Sequence, residues 1–153
     1  MRARLRCAAI VLAGLAQAAP PLALAALGGD VASVQADGAH MKASVRPETS
    51  VAGYTVQEMT LPSGTVVREY VSPAGKVFAV GWNGPTMPDL RQTLGTYFEQ
   101  YTAAASAPHL GHRHLTVRQP DLVVQSNGRP RAFYGRAYVP SLVPPNVSID
   151  DLQ

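Results

Sequence analysis

The densest group of potential metal ligands in the chain is a run of three histidines, His109, His112 and His114. Imidazoles this close can share a zinc or copper ion. Arg113 stands between two of them, however, and neither a cysteine nor a nearby carboxylate completes a ligand set. A solvated polar loop accounts for the same residues, and a metal-binding accessory protein is the second functional reading. The first reading comes from Tyr134, Arg136 and Tyr138, which alternate onto one side of a strand-like stretch, opposite Phe133, Ala137 and Val139. Arg113, Arg118, Arg129 and Arg131 are near in sequence. Aromatic rings beside guanidinium groups suit sugars or anionic polymers, by stacking and by bidentate hydrogen bonds. An ordinary solvent-facing strand with cross-strand pairs has the same pattern. Catalytic chemistry is the third reading. Ser63 and Ser72 fall in turns, without a nucleophile-elbow pattern. Glu58 and Glu69 lie on neighbouring expected strands, where an acid pair would raise one pKa and support general acid–base work. No set of nucleophile, base and orienting group accompanies them, so the expectation is a protein that is not an enzyme. Gly28-Gly29 lacks the lysine and the preceding strand of a phosphate-binding loop, and no cofactor is expected.

The compartment is read from the first 25 residues. Arg2, Arg4 and Arg6 open the chain, an apolar run follows from Cys7 to Ala19, Pro20-Pro21 break it, and Ala23-Leu24-Ala25 supplies small residues for cleavage. These are the zones of a secretory signal peptide. Residues 1–25 are expected to be removed, leaving a periplasmic or extracellular protein that begins near Ala26. The apolar run is shorter than the roughly 20 residues a membrane helix needs, and no later segment qualifies. The 25 residues hold three of the 13 Lys+Arg and none of the 10 Asp+Glu, so the remainder balances ten charges against ten. The sequence pI of 9.3 therefore belongs to the leader and is no argument for nucleic-acid binding. The single cysteine, Cys7, also leaves with it, so packing alone must hold the remaining domain.

The elements that would position these side chains follow from periodicity and turn chemistry. Asp30 heads a short helix running to about Lys42. Tyr54–Leu61, Thr65–Val71 and Lys76–Trp82 read as strands, joined by Pro62-Ser63-Gly64 and Ser72-Pro73-Ala74-Gly75. Turns this short imply an antiparallel meander. An irregularity at Glu58-Met59 reads as a bulge, and Phe78, Val80 and Trp82 alternate onto one face, taken as the core face. Thr86 is placed to cap a helix with Asp89 three residues later, and Leu90, Leu94, Tyr97, Phe98 and Tyr101 form its apolar stripe. This helix is expected to cover the meander. Further strands are expected at His114–Arg118, Leu122–Ser126 and Arg131–Val139, the last two flanking an Asn127-Gly128 hairpin turn. Residues 140–153, with three prolines and two acids at the end, read as an extended or disordered tail.

The block from Leu61 to Val80, followed by Trp82 and the run Gly84-Pro85-Thr86-Met87-Pro88-Asp89-Leu90, resembles a bacterial exported family known only as domain of unknown function 2844. Leu27-Gly28-Gly29 and the strand Arg131–Tyr138 are similar to it too. The resemblance implies export and a single domain, and carries no activity, cofactor or site residue.

The expected molecule is thus an α+β domain over residues 26–139: a three-strand meander and a C-terminal hairpin region in an antiparallel sheet, one amphipathic covering helix and a short N-terminal helix. Its expected function is non-catalytic binding of an envelope polymer or another exported protein through Tyr134, Arg136 and Tyr138. Metal binding at His109, His112 and His114 is the alternative, and a hydrolase the less favoured one. Neither nucleic acid nor a membrane span after cleavage is expected.

Overall fold

A computed structural model describes residues 27–46, 48–107 and 114–152. The expected signal peptide, His109 and His112 lie outside the described residues.

β-branched and aromatic residues are frequent in the described strands, and short turns join most of them, so the chain pairs with itself in antiparallel fashion. The strands are β1 (Ser44–Val45), β2 (Thr49–Val51), β3 (Tyr54–Thr60), β4 (Val66–Val71), β5 (Val77–Gly84), β6 (His114–Gln119), β7 (Leu122–Arg129) and β8 (Ala132–Tyr138). One sheet runs in the order β1-β3-β4-β5-β8-β7-β6, with β2 also pairing to β3. The chain crosses from β5 to β8, so the meander and the C-terminal hairpins share a single continuous sheet. The fold is α+β, as the sequence implies.

The helices bury one face of this sheet. They are α1 (Val31–His40), α2 (Leu90–Leu94) and α3 (Phe98–Ala105), the last two joined by a 3-10 turn at Gly95–Tyr97 into one helical segment. Asp89, not Thr86, caps the segment: its carboxylate accepts from the N–H groups of Arg91 (2.9 Å) and Gln92 (3.3 Å). Gly95, at φ +52°, marks the break between the two helices. Val34 of α1, Leu94 of α2 and the sheet residues Met59, Val67, Val80 and Val124 belong to one buried cluster, onto which Tyr97, Phe98 and Tyr101 pack. Among the described residues no helix is long and apolar enough to cross a membrane.

The opposite face has a smaller core of its own. Tyr70, Phe78 and Ala79 are buried there with Leu152, and Tyr54, Tyr138, Val147 and Ile149 pack against them. The Tyr54 ring meets Tyr70 and Phe78 edge-on at 5.9 and 6.0 Å, a favoured aromatic geometry. Segment 140–152, expected to be extended or disordered, carries 3-10 turns at Pro140–Leu142 and Ile149–Asp151 and returns across this face. Leu142, Val147, Ile149 and Leu152 give the segment an apolar side, and their burial offsets the entropy of ordering it.

Three local expectations are corrected. β3 and β4 pair in unbroken register through Glu58–Arg68 and Met59–Val67, and the irregularity lies between Tyr70 and Val71 instead. Tyr70 pairs with Ala79 and Val71 with Val77, which leaves Phe78 as an extra residue. An extra residue resets the alternation of a strand, so Phe78 joins the second core while Val80 and Trp82 stay in the first. The last hairpin turns at Pro130-Arg131, because Asn127 and Gly128 pair within the ladder with Tyr134 and Phe133. Gly128 serves close packing there: a Cβ on it would lie 2.4 Å from Cδ1 of Phe133. Pro130 supplies the fixed φ suited to the second position of a type II turn, and Arg131 takes the positive φ (+67°) of the third.

Candidate functional site

Register brings a set of polar side chains together on the second face. Asn83 of β5 pairs with Tyr134 of β8, which pairs with Asn127 of β7, which pairs with His114 of β6. One step along, Gly81, Arg136 and Gln125 form the next cross-strand row. Residues paired directly across antiparallel strands project to the same side. Segment 140–152 supplies the remaining wall. The result is a concavity of about 400 Å³ lined by Trp82, Asn83, Gln125, Asn127, Tyr134, Gly135, Arg136, Asp150 and Leu152.

Arg136 sits at the junction of sheet and segment. Its Nε donates to Oε1 of Gln125 (2.7 Å), Nη1 to the carbonyl oxygen of Ile149 (2.5 Å) and Nη2 to Oδ1 of Asp150 (3.0 Å). The Arg136 side chain is 24% exposed and that of Asp150 89%, so a largely withdrawn cation meets a carboxylate standing in solvent. Tyr134 is half-exposed, at 51%. Nδ1 of His114 lies 2.5 Å from Oδ1 of Asn127 and orients that amide. A half-exposed aromatic ring, three primary amides and one guanidinium around a shallow concavity can stack on a sugar ring and exchange hydrogen bonds with its hydroxyls.

Of the three residues expected to form a binding face, Tyr134 and Arg136 line this concavity and Tyr138 does not. Tyr138 packs against the second core beside Leu142 and Val143. Asn83, Gln125, Asn127 and Asp150 were missed by sequence reasoning. Gln125 and Asn127 carry a weak signal, since they alternate against the buried Val124 and Ser126. Asp150 carries none, because its place depends on the return of segment 140–152. Of the three histidines only His114 is described. Among the described residues no group of three or more His, Cys, Asp or Glu side chains is placed to hold a metal ion.

The expected Glu58–Glu69 pair is not formed. Their positions on β3 and β4 differ by one step, so they project to opposite faces. Glu58 meets Arg68 (2.9 Å) and Arg46 (3.3 Å) on the second face, beside an open groove of about 650 Å³ that also includes Tyr70 and Asp151. Glu69 is buried on the helix-covered face at 1% exposure, between Val67 and Val71 in the alternation. Among the described residues, Oε2 of Glu69 has no hydrogen-bond partner. Burial first, and the nearby charge of Asp37 second, push its carboxyl up from 4.5 to about 8. Asp37 is itself fully buried and accepts a hydrogen bond from Nε2 of Gln92 on α2. None of the three borders the concavities described above.

Ser63, His40 and Asp89 line a third, shallow hollow. The Ser63 hydroxyl hydrogen-bonds to those of Thr86 (2.8 Å) and Thr65 (3.3 Å), while the Asp89 carboxylate caps α2. Both groups are engaged in these structural contacts.

A family described as "Protein of unknown function (DUF2844)" matches residues 23–152. No curated protein and no solved structure matches the chain.

Proposed function

We propose, from the premise that the chain belongs to the DUF2844 family of proteins of unknown function, that it is an exported, non-catalytic binding protein that engages an envelope saccharide polymer at the Tyr134 concavity. The observation that carries this reading is the grouping of a half-exposed Tyr134 with Asn83, Gln125, Asn127 and Arg136 around one space of about 400 Å³. That volume lies within the usual range for small-molecule sites, and the concavity is open on one side, as binding within a longer chain requires. Amides both donate and accept, which matches the dual character of sugar hydroxyls. Export rests on the basic, apolar and small-residue zones of residues 1–25.

The test is retention of the mature protein on insoluble envelope material. Tyr134→Ala removes the ring from an exposed position and is expected to lower retention about ten-fold, with the folding transition unchanged. Asn83→Ala is expected to act in the same direction. Retention of both variants equal to wild type would refute the reading. N-terminal sequencing of the protein recovered outside the cytoplasm tests export, with Ala26 as the expected first residue.

A further inference from the structure

We propose that the Tyr134 concavity takes a carboxylated saccharide, a chain bearing uronate units, and that the ligand carboxylate replaces Asp150 on Arg136. The proposal rests on the saccharide reading above and adds the charge class of the ligand.

Among the described residues that line the concavity, Arg136 is the one with a cationic side chain. Gln125 fixes its Nε from within the sheet, at 2.7 Å, so the Nη groups face the returning segment and the space beside it. A carboxylate is already seated there: Oδ1 of Asp150 lies 3.0 Å from Nη2. The guanidinium fork is suited to planar carboxylates, and a pair with a partly withdrawn arginine is stronger than one in open water.

Asp150 is poorly suited to hold that place permanently. Its side chain is 89% exposed, and its carboxylate has one described contact, through a single oxygen. Exposed pairs of this kind contribute little net stability. The backbone beneath it is held independently: the Asp150 N–H donates to Oγ of Ser148 (3.3 Å), Arg136 also holds the Ile149 carbonyl, and Leu152 is buried. The Asp150 carboxylate can therefore swing into solvent without unfolding the segment. An incoming carboxylate then keeps Arg136 neutralised, while Asn83, Asn127 and Tyr134 meet the hydroxyls and ring face of the same sugar. A neutral sugar reaching the amides would leave the Arg136–Asp150 pair intact and gain nothing from the guanidinium.

The test measures calorimetric binding of uronate oligosaccharides, each paired with its methyl ester, to the mature protein and to Asp150→Asn and Tyr134→Ala. The acid form is expected to bind at least ten-fold more tightly than the ester. Asp150→Asn removes the competing carboxylate, and is expected to tighten the acid about five-fold while leaving the ester unchanged, a factor consistent with the modest energy of an exposed pair. Tyr134→Ala weakens both. Equal binding of acid and ester, with Asp150→Asn inert, overturns the carboxylate proposal and leaves the saccharide reading standing. Absence of binding to both forms, with Tyr134→Ala retained on envelope material like wild type, overturns both. Binding of polyglutamate as tight as that of the uronates overturns the proposal too, because the site would then read charge without sugar.

Discussion

Replacing Glu69 by Gln is expected to abolish a steep pH dependence of stability. Glu69 is buried at 1% exposure on the helix-covered face, and its carboxyl is raised from 4.5 to about 8, by desolvation first and by Asp37 second. The folded state therefore holds a proton that the unfolded chain releases above about pH 4.5. The stability associated with this proton is fully present below pH 4.5, falls as pH rises, and is gone above about pH 8, where both states are ionised. The slope between those limits approaches about 1.4 kcal/mol per pH unit, and across the whole interval the loss is on the order of 5 kcal/mol. A loss of that size is a large share of a small domain's stability. Gln keeps the shape and carries no titrating proton, so its curve should lose the Glu69 part of the slope in this window and cross above wild type as pH approaches 8. Urea unfolding at pH 5, 6, 7 and 8 measures this directly, and the single tryptophan, Trp82, buried at 3% exposure, is a built-in reporter. Asp37→Asn separates the two causes: desolvation remains and charge repulsion goes, so the slope should persist over a narrower range. A wild-type midpoint constant from pH 5 to 8, or a Glu69→Gln curve with the wild-type slope, would show that Glu69 is not the group behind the pH dependence.

Other substitutions probe the frame around the site. Asp89→Ala removes the cap that serves both Arg91 and Gln92, and should cost about 1 kcal/mol in thermal or urea unfolding. Leu94→Ala empties a fully buried position under the helical segment and should cost about 2–5 kcal/mol by the same measurement. Gly135→Ala places a Cβ 2.4 Å from Cζ2 of Trp82 and 2.5 Å from the Gln125 carbonyl oxygen. Because one of these neighbours is backbone, the strands must shift, and the variant should lose about 1–3 kcal/mol and show a shifted Trp82 fluorescence maximum. Tyr134→Ala, at an exposed position, should change stability by less than about 0.5 kcal/mol, which makes it a clean probe of binding.

What could be read from the sequence alone was local: the α+β class, the meander, the helical stripe of Leu94, Phe98 and Tyr101, and the outward alternation of Tyr134 and Arg136. Such features depend on side-chain period and turn chemistry, which a few neighbouring residues specify. Which distant side chains meet depends on register and on the return of the C-terminal segment. Glu58 and Glu69 look like a pair along the chain, but a one-step difference in register puts them on opposite faces, one against Arg68 and the other beside Asp37, 32 positions earlier in the chain. Phe78 changed cores because an extra residue at the Tyr70–Val71 irregularity reset the alternation beyond it. The Tyr134 site needed the β5–β8 pairing to deliver Asn83 and the return of segment 140–152 to deliver Asp150. Those contacts join residues far apart in the chain, and their energy comes from burying Leu152 and its neighbours over the second face. No short window of sequence contains both partners of such a contact, so only the folded chain could assemble this site.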